Sequence, residues 1–402
     1  MKRVLVIGGS IGGLLAGCLF RKAGWDVAVF ERAIGDLAGR GAGLGLTAEF
    51  LEVMERAGAR FEPSAGVMQG SMAWMDRDGA ILFEHPRAMM ASAWARVYRP
   101  LRDALPSGLY RQGATLERVE QDAGSVTAVF AGGSRERADL LVAADGVLST
   151  VRSQFLPQVQ PQFASYVAWR GIVEEHDMPG ATLEAITGRI VFCFPEGSML
   201  LCMCVPGPGE DMRPGHRRVY FIWYRTIARE SLAELFTDAG GKNHGLSIPP
   251  PLVRPELVRE MKAHAREALP EAIAAVVERT AQPLLQAISD MESPRLCFGR
   301  VALLGDAAFV ARPHVTAGAT KAGLDACCLV DSLAAAGDDG TAALTRYDES
   351  RRDFGSRLVQ YSRYLGADLE GRTTTRDPAR IIRDYLVPHL LHDVEPKNIR
   401  SA

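Results

Sequence analysis

Residues Arg3 to Arg32 read RVLVIGGSIGGLLAGCLFRKAGWDVAVFER. Val4 to Ile7 is a short apolar run rich in β-formers. Gly8 to Gly13 is a glycine-dense turn, and Leu14 to Lys22 has the apolar spacing of a helix ended by Gly24. Asp26 to Phe30 is a second β-rich run that ends in Glu31. This is a strand–turn–helix–strand unit with an acid about 20 residues beyond the glycines, the arrangement a dinucleotide site requires. Glycines let backbone approach a pyrophosphate, and the helix start offers free N–H groups and partial positive charge. The motif is incomplete, because Ser10 stands at its middle glycine. The hydroxyl of Ser10 is itself able to bond a phosphate. Gly8, Ser10, Ile11, Gly12 and Gly13 are the expected phosphate-side residues, with Glu31 and Arg32 at the ribose. A signal peptide is the competing reading, since Lys2 and Arg3 precede an apolar run and Leu15 to Cys18 resembles a lipoprotein cleavage box. Four glycines break that run, and it leads into a second strand, so a cytoplasmic chain is expected.

Length and composition allow two lobes, each with its own core. The chain has 402 residues, a net charge of −2 and 47% hydrophobic residues. That length supports two cores, and the near-neutral charge leaves no electrostatic footprint for nucleic acid. Seven cysteines without a C-x-x-C pair read as buried apolar residues in a reducing compartment, and no metal site is expected. No uninterrupted apolar run approaches the length of a membrane span.

Downstream, a loop with Gly35, Gly39, Gly41, Gly43 and Gly45 reads as backbone against a flat group or as an open loop. A helix is predicted over Thr47 to Ala57, a strand pair around Asp76 to Gly79, a short helix over Pro100 to Leu105 and a hairpin around Gly132 and Gly133. From about Gln162 to Tyr224 the pattern is β, with helices near Pro255 to Ala268 and Glu271 to Glu278. Strand returns at Leu284 to Ser289 and Val301 to Leu304, and helices dominate from Thr320 to about Leu369. Beyond Asp368 the chain is short and charged, and no further domain is expected there. The fold class read from this order is α/β, a Rossmann-like nucleotide-binding lobe with an inserted β-rich α+β lobe. Residues 1–72, 98–160 and 285–402 are assigned to the first lobe, and 73–97 and 161–284 to the second.

Two further stretches carry chemistry. Asp145 and Gly146 follow an apolar strand, with Ser149 and Arg152 just beyond; a turn with a helix cap is the plain alternative. A buried strand ends at Gly305 and Asp306, and a loop from Arg312 to Thr320 leads into a helix. With the opening unit, in this order, these resemble the flavin-dependent aromatic hydroxylases of the p-hydroxybenzoate hydroxylase type. The resemblance spans the N-terminus to about residue 330. It implies that the first motif holds the ADP half of FAD and that Asp145, Gly146 and Arg152 serve FAD and nicotinamide use. It implies that Asp306 contacts the ribityl chain and that Pro313, Gly318, Ala319 and Thr320 cover the isoalloxazine. The helix starting near Thr320 would aim its positive end at the ring and favour its reduced, anionic form.

This sequence departs from the family pattern. Phe309 replaces the usual histidine after Gly-Asp-Ala-Ala, Thr316 the first loop glycine and Thr320 an asparagine. Tyr98 stands where an FAD-binding arginine is usual, which leaves Arg99 as the neighbouring substitute. The dihydroxypyridine hydroxylase subgroup is similar at these points, at Tyr166 to Gly171, and at Arg312 to His314. The chemistry implied is reduction of FAD by NADH or NADPH, addition of molecular oxygen at flavin C4a to give a hydroperoxide, and attack on an electron-rich hydroxylated ring. His314 is the candidate base, with a side chain that ordinarily titrates near neutrality; a surface or capping histidine is the alternative. Tyr224 is a second candidate for ring contact, or else a core residue. A flavin halogenase is disfavoured, because its Trp-x-Trp-x-Ile-Pro segment does not occur here. A non-hydroxylating FAD reductase, a salicylate-type phenolic acid hydroxylase and a non-catalytic nucleotide-binding protein remain open, as does a homodimer. An acidic substrate would want a pocket arginine, and Arg170, Arg189 and Arg225 are the candidates.

Overall fold

The computed structural model describes residues 2–35, 37, 43–60, 66–371 and 377–385. Gly39 and Gly41 of the glycine-rich loop lie outside the described residues.

The opening unit folds as its sequence dictates. Strand Arg3–Ile7 leads into helix Ile11–Lys22 and then strand Asp26–Glu31, with the two strands parallel and Val6 opposite Val29. Both strands are buried along nearly their whole length, as a parallel sheet covered on both faces demands. Leu140–Ala143 adds on the other side of the first strand, and Val301–Leu303 beyond it. The six-stranded sheet runs in the order Cys297–Phe298, Val301–Leu303, Leu140–Ala143, Arg3–Ile7, Asp26–Glu31, Tyr110–Gln112. All three motifs therefore leave neighbouring strands at their carboxyl ends, where α/β sheets bind ligands. Helix Gly318–Ala336 packs on Ile11–Lys22, and the 26-residue helix Gly340–Leu365 packs on it in turn.

A second sheet of ten strands forms the other lobe. Its centre is Gln162–Glu174, Arg218–Thr226, Ser198–Val205 and Arg189–Cys193, all antiparallel to their neighbours in that order. Period-two alternation gives this sheet two apolar faces. Val219, Phe221 and Trp223 point to a core shared with helices Pro255–Ala268 and Glu271–Arg279. Tyr220, Ile222 and Tyr224, with Tyr166, Ala168, Ile190, Phe192 and Leu201, point the other way. That second face is closed by Ile381, Ile382 and Tyr385 from near the end of the described chain.

Strand pairing does not follow the lobe boundaries drawn from sequence. Gly43–Leu46 joins the second sheet through Ile81–Ala93, Val67–Met75 runs across the boundary at 72/73, and Leu284–Glu292 lies in the second sheet beyond 284/285. The helix expected from Pro100 begins at Trp94 and carries Pro100 inside it, crossing the boundary at 97/98. The reason is physical: edge strands and helices dock wherever an apolar face is open, and sequence proximity sets no limit on that.

Candidate active site

The glycine turn is sterically determined. Gly8 has φ +102°, and a Cβ there would lie 2.2 Å from the Ala144 carbonyl oxygen. A Cβ at Gly13 would lie 1.8 Å from the Gly8 carbonyl oxygen. Gly12 is set by packing instead, since its Cβ would stand 3.1 Å from Ala322 on the later helix. Gly9 faces Tyr110 in the same way. Ser10 caps helix Ile11–Lys22 by its backbone, while its side chain is exposed and makes no cap bond. First-turn amides are thus left for another acceptor.

A cavity of about 380 Å³ opens above this turn. Six expected residues line it: Gly8, Ser10, Glu31, Arg32, Asp145 and Gly146. Trp94 and Leu37 also line it and carried no motif signal. Glu31 accepts the Gly9 amide through Oε2 and the Ala33 amide through Oε1, both at 2.8 Å. It braces the turn and keeps a lone pair on each oxygen for a ribose. Asp145 accepts from the Ser149 hydroxyl at 2.6 Å and from the Thr150 amide at 2.8 Å, so it also caps the helix Thr150–Phe155. Burial raises its carboxyl above the usual range.

Arg152 is a correction. It is 1% exposed and sits behind the cavity, donating to the carbonyls of Val147 and Ala307. It ties the Asp-Gly turn to the Gly-Asp turn. Arg99 is a second correction. Its side chain is largely exposed and faces Glu210 of the other lobe at 3.6 Å. Tyr98, buried beside it, contacts the Tyr110 hydroxyl at 3.2 Å, and Tyr110 donates to the Gly9 carbonyl at 3.1 Å. The helix therefore supports the glycine turn through two phenols instead of one arginine.

Asp306 is exposed, yet protein surrounds it closely enough to push its carboxyl up. It makes no hydrogen bond among the described residues and is free to accept from a ligand hydroxyl. Its turn is clamped from below. Asp325 accepts the Gly305 amide at 3.0 Å and pairs with Lys321 at 2.8 Å and Arg351 at 2.7 Å. Lys321 donates to the Gly305 carbonyl at 2.8 Å. All three charged side chains are nearly or fully buried, and those two cations hold the Asp325 carboxyl below the usual range. A Lys-x-x-x-Asp spacing at the start of a helix is the signal of this clamp in the sequence.

Pro313–Val315 forms one turn of 3₁₀ helix, Thr316 turns left-handed at φ +49°, and the 19-residue helix Gly318–Ala336 follows. Ala317 caps this helix without a side-chain bond, and a Cβ at Gly318 would meet nothing within 4 Å. Ala319 is half-buried, and Thr320 contacts the Thr47 hydroxyl at 3.2 Å. The helix start is open, as a site for an anionic ring edge needs.

His314 and Tyr224 are brought together with each other and not with the cavity. Their rings stand 4.5 Å apart, and Tyr166 meets the His314 Nε2 at 2.8 Å. Tyr385 closes the cluster at 6.4 Å from His314. The expectation that His314 titrates near neutrality does not hold. Full burial, aided by the charge of Arg312, lowers it to about 3, so the imidazole is neutral and a poor proton holder. Its Nδ1 is buried without a partner among the described residues. Arg312 is held by Asp290 at 2.7 Å and Glu370 at 2.6 Å.

The residues present fit FAD: a sterically enforced glycine cradle, two uncapped helix starts, and acceptors at Glu31 and Asp306. These features define a two-lobed flavoprotein with a nucleotide cavity in one lobe and an aromatic face in the other. The FAD binding domain-like family matches residues 163–290. A 6-hydroxynicotinate 3-monooxygenase of Bordetella bronchiseptica is 30% identical over 379 residues, 90% of each chain. A 2,6-dihydroxypyridine 3-monooxygenase of Paenarthrobacter nicotinovorans is 29% identical over 331 residues, 82% of each chain. The solved structure of 2,6-dihydroxypyridine-3-hydroxylase from Arthrobacter nicotinovorans superposes with a TM-score of 0.88 at 25% identity, over 95% of this chain and 96% of that one. The chain belongs to the FAD-dependent aromatic monooxygenases. FAD is accordingly its cofactor.

Proposed function

We propose that this monooxygenase hydroxylates a hydroxylated N-heteroaromatic ring such as a dihydroxypyridine, with NADH or NADPH as electron donor. The observation that carries the reading is the aromatic face of the second sheet, where Tyr166, Tyr224 and Tyr385 surround a neutral, buried His314. Two relatives act on small hydroxylated pyridine-type rings by name, which supports the same reading. Bound FAD supplies the passage of electrons from nicotinamide to dioxygen and the insertion of one oxygen atom. The chain's own residues do the rest. The Gly8–Gly13 turn and Glu31 hold the nucleotide end, and the start of helix Gly318–Ala336 favours negative charge beside it. Phe192, Ile190 and Leu201 keep water from the face. His314, unprotonated, orients the Tyr166 hydroxyl and offers Nδ1 as a hydrogen-bonding atom instead of storing a proton.

Seven unpaired cysteines support a cytoplasmic location, and no helix among the described residues is long and apolar enough to cross a membrane. Assembly as a homodimer belongs to the same reading and is tested by light scattering. The deciding experiment is anaerobic reduction of the bound flavin by NADH and by NADPH, with and without 2,6-dihydroxypyridine. A large acceleration by the pyridine is expected. Acceleration by salicylate alone would replace it with a phenolic acid, and no reduction at all would overturn the hydroxylase reading.

A further inference from the structure

The three arginines that an acidic substrate might use have quite different surroundings. Arg189 lies on the surface and is paired with Glu84 at 2.9 Å. Arg225 is on the Trp223 face of the sheet, its guanidinium 5.2 Å from that indole ring and near Glu260. Arg170 is on the opposite face, the one that carries Tyr166, Tyr220 and Tyr224, because residues two apart on Gln162–Glu174 point the same way.

Arg170 has an unusual set of partners. Its Nη1 donates to the Tyr220 hydroxyl at 2.9 Å, and its Nε is buried with no partner. It forms no ion pair among the described residues; its nearest charged or polar influences are Tyr220, Tyr224 and Tyr385. Three other buried arginines are neutralised by ion pairs, Arg312 by Asp290 and Glu370, Arg217 by Glu175, and Arg351 by Asp325, while Arg152 donates to the Val147 and Ala307 carbonyls and feels the charges of Asp145 and Asp306. Arg170 keeps some accessible surface on the aromatic face of the sheet. A guanidinium does not deprotonate, and a buried charge without a counter-charge is costly.

We infer that Arg170 binds the anionic oxygen of the aromatic substrate, with Tyr220 holding the guanidinium in place. The inference rests on the proposed function for the site and goes further by stating what the site selects: a planar ring that carries negative charge on oxygen. Two sources supply that chemistry, an ionised ring hydroxyl as in 2,6-dihydroxypyridine or a ring carboxylate as in 6-hydroxynicotinate. Arg170 would touch substrate; Tyr220 is a positioning residue. Gly43 fixes Tyr220 from behind, since a Cβ there would lie 2.9 Å from its ring.

The test uses the FAD-loaded enzyme and the change in flavin absorbance on titration, with no turnover. Probes are 2,6-dihydroxypyridine above and below its own ionisation, 6-hydroxynicotinate, and the pair benzoate and benzamide. The wild type is expected to prefer the anionic members, and Arg170→Met is expected to weaken them roughly ten- to a hundredfold while leaving benzamide unchanged. Arg170→Lys should recover part of the preference, and Tyr220→Phe should lose roughly threefold to tenfold. The FAD-to-protein ratio of each variant reports folding separately. Preference for benzoate over both pyridine probes would support Arg170 and remove the pyridine reading, whereas preference for 6-hydroxynicotinate would support Arg170 and keep an N-heteroaromatic substrate. Preference for the ionised dihydroxypyridine would support both. No anion preference in the wild type, or one that survives in Arg170→Met, overturns the inference.

Discussion

The nucleotide cavity and the aromatic face of the second sheet are built on opposite principles. The cavity is mostly backbone. Its decisive groups are Gly8 and Gly13, which admit no Cβ, and a helix start without a side-chain cap. The aromatic face is almost wholly side chain, collected from four or more strands and the loop after Val310. A backbone site tolerates no substitution at a few positions and is indifferent elsewhere. A side-chain site tolerates single changes but depends on charge and hydrogen-bond balance across its whole face.

The largest contrast is expected at Gly13→Ala. A methyl group 1.8 Å from the Gly8 carbonyl forces the turn open, costing at least about 3 kcal/mol and most of the FAD content. Retention of stoichiometric flavin, read from absorbance, would break the comparison. Next is Asp325→Ala, which leaves Lys321 and Arg351 buried without their carboxylate and should cost about 3–5 kcal/mol in a denaturant titration. It shows how far the backbone site depends on a charged support beneath it.

A smaller, pH-dependent effect belongs to the aromatic face. The folded chain keeps His314 neutral down to about 3, whereas the unfolded chain protonates it near 6.5. Between these values the unfolded state binds more protons, so stability is lost as pH falls through that window, by up to about 1.4 kcal/mol per pH unit. His314→Gln should flatten this acid limb by roughly one proton, measured as thermal midpoint against pH. An unchanged limb would mean that other groups carry it.

The smallest effect is expected at the contact between the lobes. Glu210 adopts φ +68° and pairs with Arg96 and Arg99. Glu210→Gly relieves the backbone and removes exposed pairs, and the two terms should cancel to within about 1 kcal/mol. A large loss would mean that this strap holds the lobes together.

Most of the first region was legible because its signals are local. The glycines, Glu31, Asp145 and Asp306 stand in short motifs whose spacing reflects strand, turn and helix lengths. The misreadings arose where a role depends on a distant neighbour. Arg152 looked like a ligand and is a brace between two turns; Arg99 looked like the stand-in for an FAD-binding arginine whose place Tyr98 takes, and its side chain faces Glu210. His314 looked like a base near neutrality, but burial among Tyr166, Tyr224 and Arg312 removes that capacity.

The sequence by itself determined the α/β class, the order of three cofactor motifs and the β character of the insertion, since each follows from period, turn chemistry and glycine sterics within a few residues. The tertiary structure decided which strands joined which sheet, which of three arginines faces the aromatic cluster without a counter-charge, and whether a histidine there can hold a proton. Those properties are set by desolvation and by partners far apart in the chain, and neither is written in any short stretch of it.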